Sequence, residues 1–80
     1  MQFSVVAYPN ITSEEFSVQL TVNTSDMVSF MVYDTQGKLV DSGILNSETK
    51  LYIGAQYQPG LYLLVAVLNN EKRILRLVKQ

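Results

Sequence analysis

Eighty residues, 48% of them hydrophobic and 16% charged, with no histidine, cysteine or tryptophan, make one domain with a lean set of reactive groups. Without Cys there is no disulfide, thiolate nucleophile or thiolate metal site, and without His the commonest general base and zinc ligand are missing. A net charge of −1 offers no basic field for a nucleic-acid backbone, and no apolar run reaches the ~20 residues that span a bilayer.

Size scaling at 9.0 kDa gives roughly 13,000 Å² of unfolded surface and roughly 5,000 Å² folded. Nearly every apolar side chain is then needed for the core, and few remain to line a deep pocket. The opening residues Met1-Gln2-Phe3-Ser4 lack the charged and apolar regions of a signal peptide.

The dominant period along the chain is two. Phe3 to Tyr8 opens as an extended stretch. Phe16, Val18, Leu20 and Val22 alternate with Ser17, Gln19 and Thr21, the pattern of a half-buried strand. Val28, Phe30 and Val32 repeat it, with Met27, Ser29, Met31 and Tyr33 on the other side. Asp34-Thr35-Gln36-Gly37 follows as a four-residue hairpin loop, capped by the Asp carboxylate and closed by a left-handed Gly.

Leu39 and Val40 begin a fourth strand that runs to Leu45, and Gly43 within it marks a bulge. Leu51 to Ile53 is a short fifth strand. Pro59-Gly60 fits the central pair of a type II turn. Leu61 to Leu68 is apolar throughout and reads as a strand buried on both faces. Asn69-Asn70 suits a tight hairpin into the last strand, Arg73 to Lys79. Segments 9–14, 23–26 and 54–60 are the longer connections. Seven strands with regular turn signals and no convincing helix predict an all-β, antiparallel two-sheet sandwich.

The side chains that could carry chemistry have plainer uses. Glu14 and Glu15 are adjacent, so on an extended chain they face opposite ways and cannot act as a pair. Asp26, Asp34 and Asp41 lie in or beside loops without calcium-loop spacing and read as turn caps. Tyr8, Tyr33, Tyr52, Tyr57 and Tyr62 raise the idea of a sugar-stacking platform, but they share no register and suit strand packing better. The sequons at Asn10 and Asn23 are short patterns that turn-forming Asn explains. The C-terminal run Lys72 to Gln80 carries four of the six basic residues. It reads either as an edge strand protected by charge or as an element read by a partner.

Four pieces now stand in order along the chain. Val6-Ala7-Tyr8-Pro9-Asn10 is followed by Thr12-Ser13-Glu14. Then come Val32-Tyr33-Asp34-Thr35-Gln36-Gly37-Lys38-Leu39-Val40, Gln58-Pro59-Gly60-Leu61-Tyr62, and the basic close Arg76-Leu77-Val78-Lys79. Together they resemble the C-terminal sorting domain of type IX secretion cargo proteins of the Bacteroidota. Two departures are visible. Ile11 stands where that family usually has a second Pro, and Leu51-Tyr52-Ile53-Gly54 replaces a more usual Ile-Asp-Leu-Ser.

The resemblance implies an immunoglobulin-like sandwich, residues 1–80, at the end of a larger secreted protein, with Met1 the start of an excised piece. It implies export through the periplasm to the cell surface or medium, and recognition by the outer-membrane type IX machinery. A surface sortase-like peptidase would then remove the domain, with or without transfer of the cargo to a lipopolysaccharide. In this sequence Arg76, Leu77, Val78 and Lys79 would be the recognition element. Tyr8, Pro9, Asn10, Asp34, Gly37 and Lys38 would form signature turns, and Gly60 and Tyr62 would start the central strand. No cofactor, metal, catalytic residue, membrane span or nucleic-acid partner is expected, and the sheet edges offer a route to a weak homodimer. The competing class is an immunoglobulin-like adhesion or carbohydrate-binding module. A small hydrolase lacks a readable nucleophile and base.

Overall fold

A computed structural model describes residues 2–80. It contains eight strands: β1 (Phe3–Ala7), β2 (Ile11–Thr12), β3 (Phe16–Val22), β4 (Val28–Tyr33), β5 (Leu39–Leu45), β6 (Leu51–Ile53), β7 (Gly60–Leu68) and β8 (Glu71–Lys79). They form two sheets, β1-β3-β6 and β2-β8-β7-β4-β5. In immunoglobulin sandwiches strands A, B and E share one sheet and C, F and G the other. Here β1, β3 and β6 take the first set, β4, β7 and β8 the second, and β5 is added beside β4. The accessible surface is 5157 Å², as size scaling predicts.

The alternating positions make the core. Phe16, Val18, Val28, Val32, Leu64, Leu68 and Leu77 are fully buried between the sheets, with Phe3, Leu20, Phe30 and Ile53 beside them. Among the described residues no buried side-chain nitrogen or oxygen lacks a hydrogen-bond partner. At the β4–β5 turn the Asp34 Oδ1 accepts from the amides of Gln36 and Lys38, both at 2.9 Å, and Gly37 has φ +80°. The predicted Asx cap and left-handed Gly are both there.

Several expectations need correction. The connection 9–14 contains a strand: β2 pairs parallel with β8, Ile11 beside Val78 and Thr12 beside Lys79, so the sandwich has eight strands and one parallel contact. Two residues carry no readable period, and only the tertiary fold makes them a strand. The bulge in β5 lies at Val40, since Val32 pairs with Asp41 and Tyr33 with Leu39. Gly43 pairs with Phe30 instead, and a Cβ there would sit 2.9 Å from the Phe30 ring. It is a clearance for the ring.

Gly60 opens β7 with φ +155°, far from the about +80° of a type II turn, so Pro59-Gly60 leads into the strand and makes no such turn. In the β7–β8 hairpin Asn69 takes φ +54°. β7 is buried on one face only. Tyr62, Leu64, Ala66 and Leu68 point inward, while Leu61 and Leu63 are 37% and 40% exposed. Its outer face is apolar without being covered, which an unbroken apolar run cannot reveal.

Candidate recognition surface

The signature residues of the sequence collect mainly at one pole of the molecule. Tyr8, Pro9 and Asn10 carry the chain from one sheet to the other. The Tyr8 amide still donates to Ser17 of β3 at 2.8 Å, whereas the Asn10 carbonyl accepts from Val78 of β8 at 2.9 Å. The peptide bond between Tyr8 and Pro9 is cis. Asn10 therefore meets the C-terminal strand directly. Gly60 pairs with Lys79 across the β7–β8 ladder. The Asp34–Gly37 turn borders a groove of about 440 Å³ with Tyr33, Leu61 and Leu63, and Leu63 in turn pairs with Arg76.

Tyr62 lies near the start of β7, and its hydroxyl donates to the Gln58 carbonyl at 2.6 Å, four residues upstream. This is a tyrosine corner, which pins the approach to a central strand of immunoglobulin-like folds. The Tyr62 ring packs 4.9 Å from that of Tyr57. The Tyr57 hydroxyl donates to Asp41 Oδ2 at 2.7 Å and joins the 54–60 connection to β5. Burial, then the hydrogen bond to and negative charge of Asp41, push the Tyr57 phenol well above its usual pKa. These tyrosines are structural. Tyr8 and Tyr52 are exposed on either side of Ser17 of the three-stranded sheet, apart from the Tyr57–Tyr62 pair.

The four residues of the basic close do not face one way. Strand alternation turns Arg76 outward and leaves Val78 half-buried, while Leu77 is fully buried and Lys79 is only 6% exposed. The Lys79 Nζ donates to the carbonyls of Glu14 and Gly54, and to that of Ala55 at 3.2 Å. Three donors meet three acceptors, so the ammonium is fully satisfied without an acid. Leu77 and Lys79 are thus inaccessible to a partner in the folded domain. The physical reason is parity: Leu75, Leu77 and Lys79 share the inward positions of one strand. That parity was present in the sequence and identifies Lys79 as inward-facing. Position 54 is equally constrained, since Gly54 has φ +95° and a Cβ there would sit 2.6 Å from Phe16.

The outer face of the five-stranded sheet forms an extended apolar display. Leu61 pairs with Val78, Leu63 with Arg76, Val65 with Ile74 and Val67 with Lys72 on one side. On the other side Leu63 pairs with Tyr33 and Val65 with Met31. Arg76 and Lys72 put two cations along the β8 margin of this face. Among the described residues no group of three or more acidic, His or Cys side chains gathers that could hold a metal. Nor is any helix among those residues long and apolar enough to cross a membrane.

Fold and surface define the class: a small immunoglobulin-like sandwich whose distinctive side chains sit at turns and on its last strand. The chain belongs to the secretion-system C-terminal sorting domain family, whose sequence profile matches residues 6–80. A domain of this family is the C-terminal signal that sends a cargo across the outer membrane through the type IX secretion system. Such domains are in general non-catalytic. A comparison with curated proteins finds no match.

Proposed function

We propose that the chain is the detachable terminal domain of a larger secreted cargo, and that the machinery reads it as a folded object. The observation that carries this is the interleaving of tail and core: Leu77 and Lys79 complete the interior, while Arg76 points outward beside Leu63. Arg76 and the half-buried Val78 are the contact residues. Leu77 and Lys79 act by holding them in place. Tyr8-Pro9-Asn10, Asp34-Gly37-Lys38, Gly60 and Tyr62 shape the same pole. After passage through the periplasm and outer membrane, a surface sortase-like peptidase separates domain from cargo.

Fusing residues 2–80 to a reporter in a type IX-competent bacterium tests this reading. The fusion is expected outside the cell, and Arg76→Glu is expected to reduce export while leaving the melting temperature unchanged. Retention of the intact wild-type fusion, beside an exported control, overturns the sorting role for this chain.

A further inference from the structure

Backbone groups on β8 alternate between two sides. The turn at Asn69-Asn70 closes on the pair Leu68–Glu71, so Arg73, Leu75, Leu77 and Lys79 turn their amides toward β7. Lys72, Ile74, Arg76 and Val78 turn theirs away. At Val78 the outward amide donates to Asn10, and at Gln80 to Thr12, both at 2.9 Å. There β2 covers the edge. Ahead of it the chain swings to the other sheet, and the outward N–H and C=O of Ile74 and Arg76 meet no partner among the described residues. A hollow of about 280 Å³ opens beside them, between β1 and β8. Ile74 at 62% exposure and Val6 at 54% flank it.

The β5 and β6 edges are blunted, and that of β1 is engaged in part. On β5 the extra residue Val40 breaks the register, and the Asp41 carboxylate takes the Ser42 amide at 2.9 Å. β6 is three residues long. On β1 the Phe3 carbonyl is occupied by Arg73. Charge then selects the occupant of the β8 edge. Lys72, Arg73 and Arg76 stand on this strand against the single acid Glu71. A second copy pairing antiparallel about Ile74 would set Lys72 opposite Arg76 twice, and like charges directly opposed destabilise a pair.

We infer that the open edge of β8 is a strand-addition site for an extended, acidic segment of a partner protein. The segment pairs with the backbone of Ile74 and Arg76 beyond the end of β2, and its carboxylates meet Lys72 and Arg76. This rests on the sorting reading, in that the partner belongs to the secretion machinery.

The first test uses the isotope-labelled chain and a ten-residue peptide alternating valine with glutamate. Amide exchange at Ile74 and Arg76 is expected to slow by about tenfold or more, with no slowing from the same peptide carrying lysine in place of glutamate. Equal exchange with and without the acidic peptide overturns the inference, as does protection that appears with rising concentration of the chain alone. The second test is export. Ile74→Pro removes one outward N–H and leaves the β7 ladder intact, since proline is tolerated where the amide faces away from the sheet. The Lys72→Glu/Arg76→Glu double variant reverses the edge charge without touching any ladder bond. Both are expected to lower export by about tenfold at unchanged far-ultraviolet dichroism, a loss of the size one or two backbone bonds supply. If Ile74→Pro does not fold, the amide-exchange measurement decides. Wild-type export by a folded variant overturns the edge site. Retention of the wild-type fusion overturns the sorting reading alone, because the exchange measurement does not depend on it.

Discussion

Arg73 and Phe3, separated by 70 positions in the chain, meet where the two sheets come together at their open side. The guanidinium lies 4.7 Å from the ring centroid, and its Nε donates to the Phe3 carbonyl at 2.9 Å. Phe3 belongs to the three-stranded sheet and Arg73 to the five-stranded one. One side chain therefore clips the first strand of the domain to its last.

Arg73→Ala is expected to destabilise the domain by about 1–2 kcal/mol, from one cation–π contact, the hydrogen bond to the Phe3 carbonyl and an exposed one to the Lys72 carbonyl at 3.0 Å. For a chain of this size that lowers the melting temperature by roughly 5–15 °C. Arg73→Lys keeps the charge and loses the planar fork, so calorimetry should show it recovering only part of the difference. Equal melting of wild type and Arg73→Ala contradicts the clip.

Lys79→Met keeps the length of the side chain and removes the ammonium, leaving the carbonyls of Glu14, Gly54 and Ala55 without their donor. The expected loss is about 2–4 kcal/mol, read as a lower urea midpoint at constant slope. Export of this variant should fall with its folded fraction. For Arg76→Glu, export should fall while the urea curve stays in place, and that contrast separates a contact from a support. Deleting the tail cannot make the distinction, since it removes both.

Tyr57 gives the alkaline limit. Its phenol keeps its proton in the folded chain above the pH, about 10, at which an unfolded tyrosine loses it. Below about pH 10 both states hold the proton and the contribution is complete; above it the unfolded state binds fewer protons, so stability falls as pH rises. Urea melts at pH 8 and pH 11 should show a larger loss for wild type than for Tyr57→Phe. Equal losses contradict the assignment.

Two glycines with positive φ should respond differently to Ala. Gly37 has open space around it, so Gly37→Ala meets only the left-handed backbone penalty of about 1–2 kcal/mol. Gly54→Ala adds a clash with the fully buried Phe16, an overpacking cost of about 1–3 kcal/mol more, and it shifts the carbonyl that holds Lys79. Thermal melts of the two variants should keep that order.

The sandwich was legible because a half-buried strand demands an apolar residue at every second position, as Phe16–Val22 and Val28–Tyr33 show. The Asp34–Gly37 turn was legible because its chemistry is local. What escaped depends on distant partners. Lys79 binds carbonyls 65, 25 and 24 positions away, so a lone lysine at a strand end looked like solvent-facing charge. Gly43 answers to Phe30 across a strand pair, and β2 exists only because β8 lies beside it. The open apolar face of β7 looked like interior because composition does not record which face a neighbouring layer covers.

The strand directions settle where a load would hang. Gln2 donates from its amide to Asn23 Oδ1, and Asn69 to Asp26, which places the start of the described chain at the end holding the β7–β8 turn. Lys79 sits among Glu14, Gly54 and Ala55 at the other end of a body 34 Å long. A passenger joined ahead of Gln2 leaves from the stern, while Gln80 rides at the bow. The pole around Lys79 would then lie clear of a load joined ahead of Gln2, whereas Lys72, next to Arg73 and its Phe3 partner, would lie beside it.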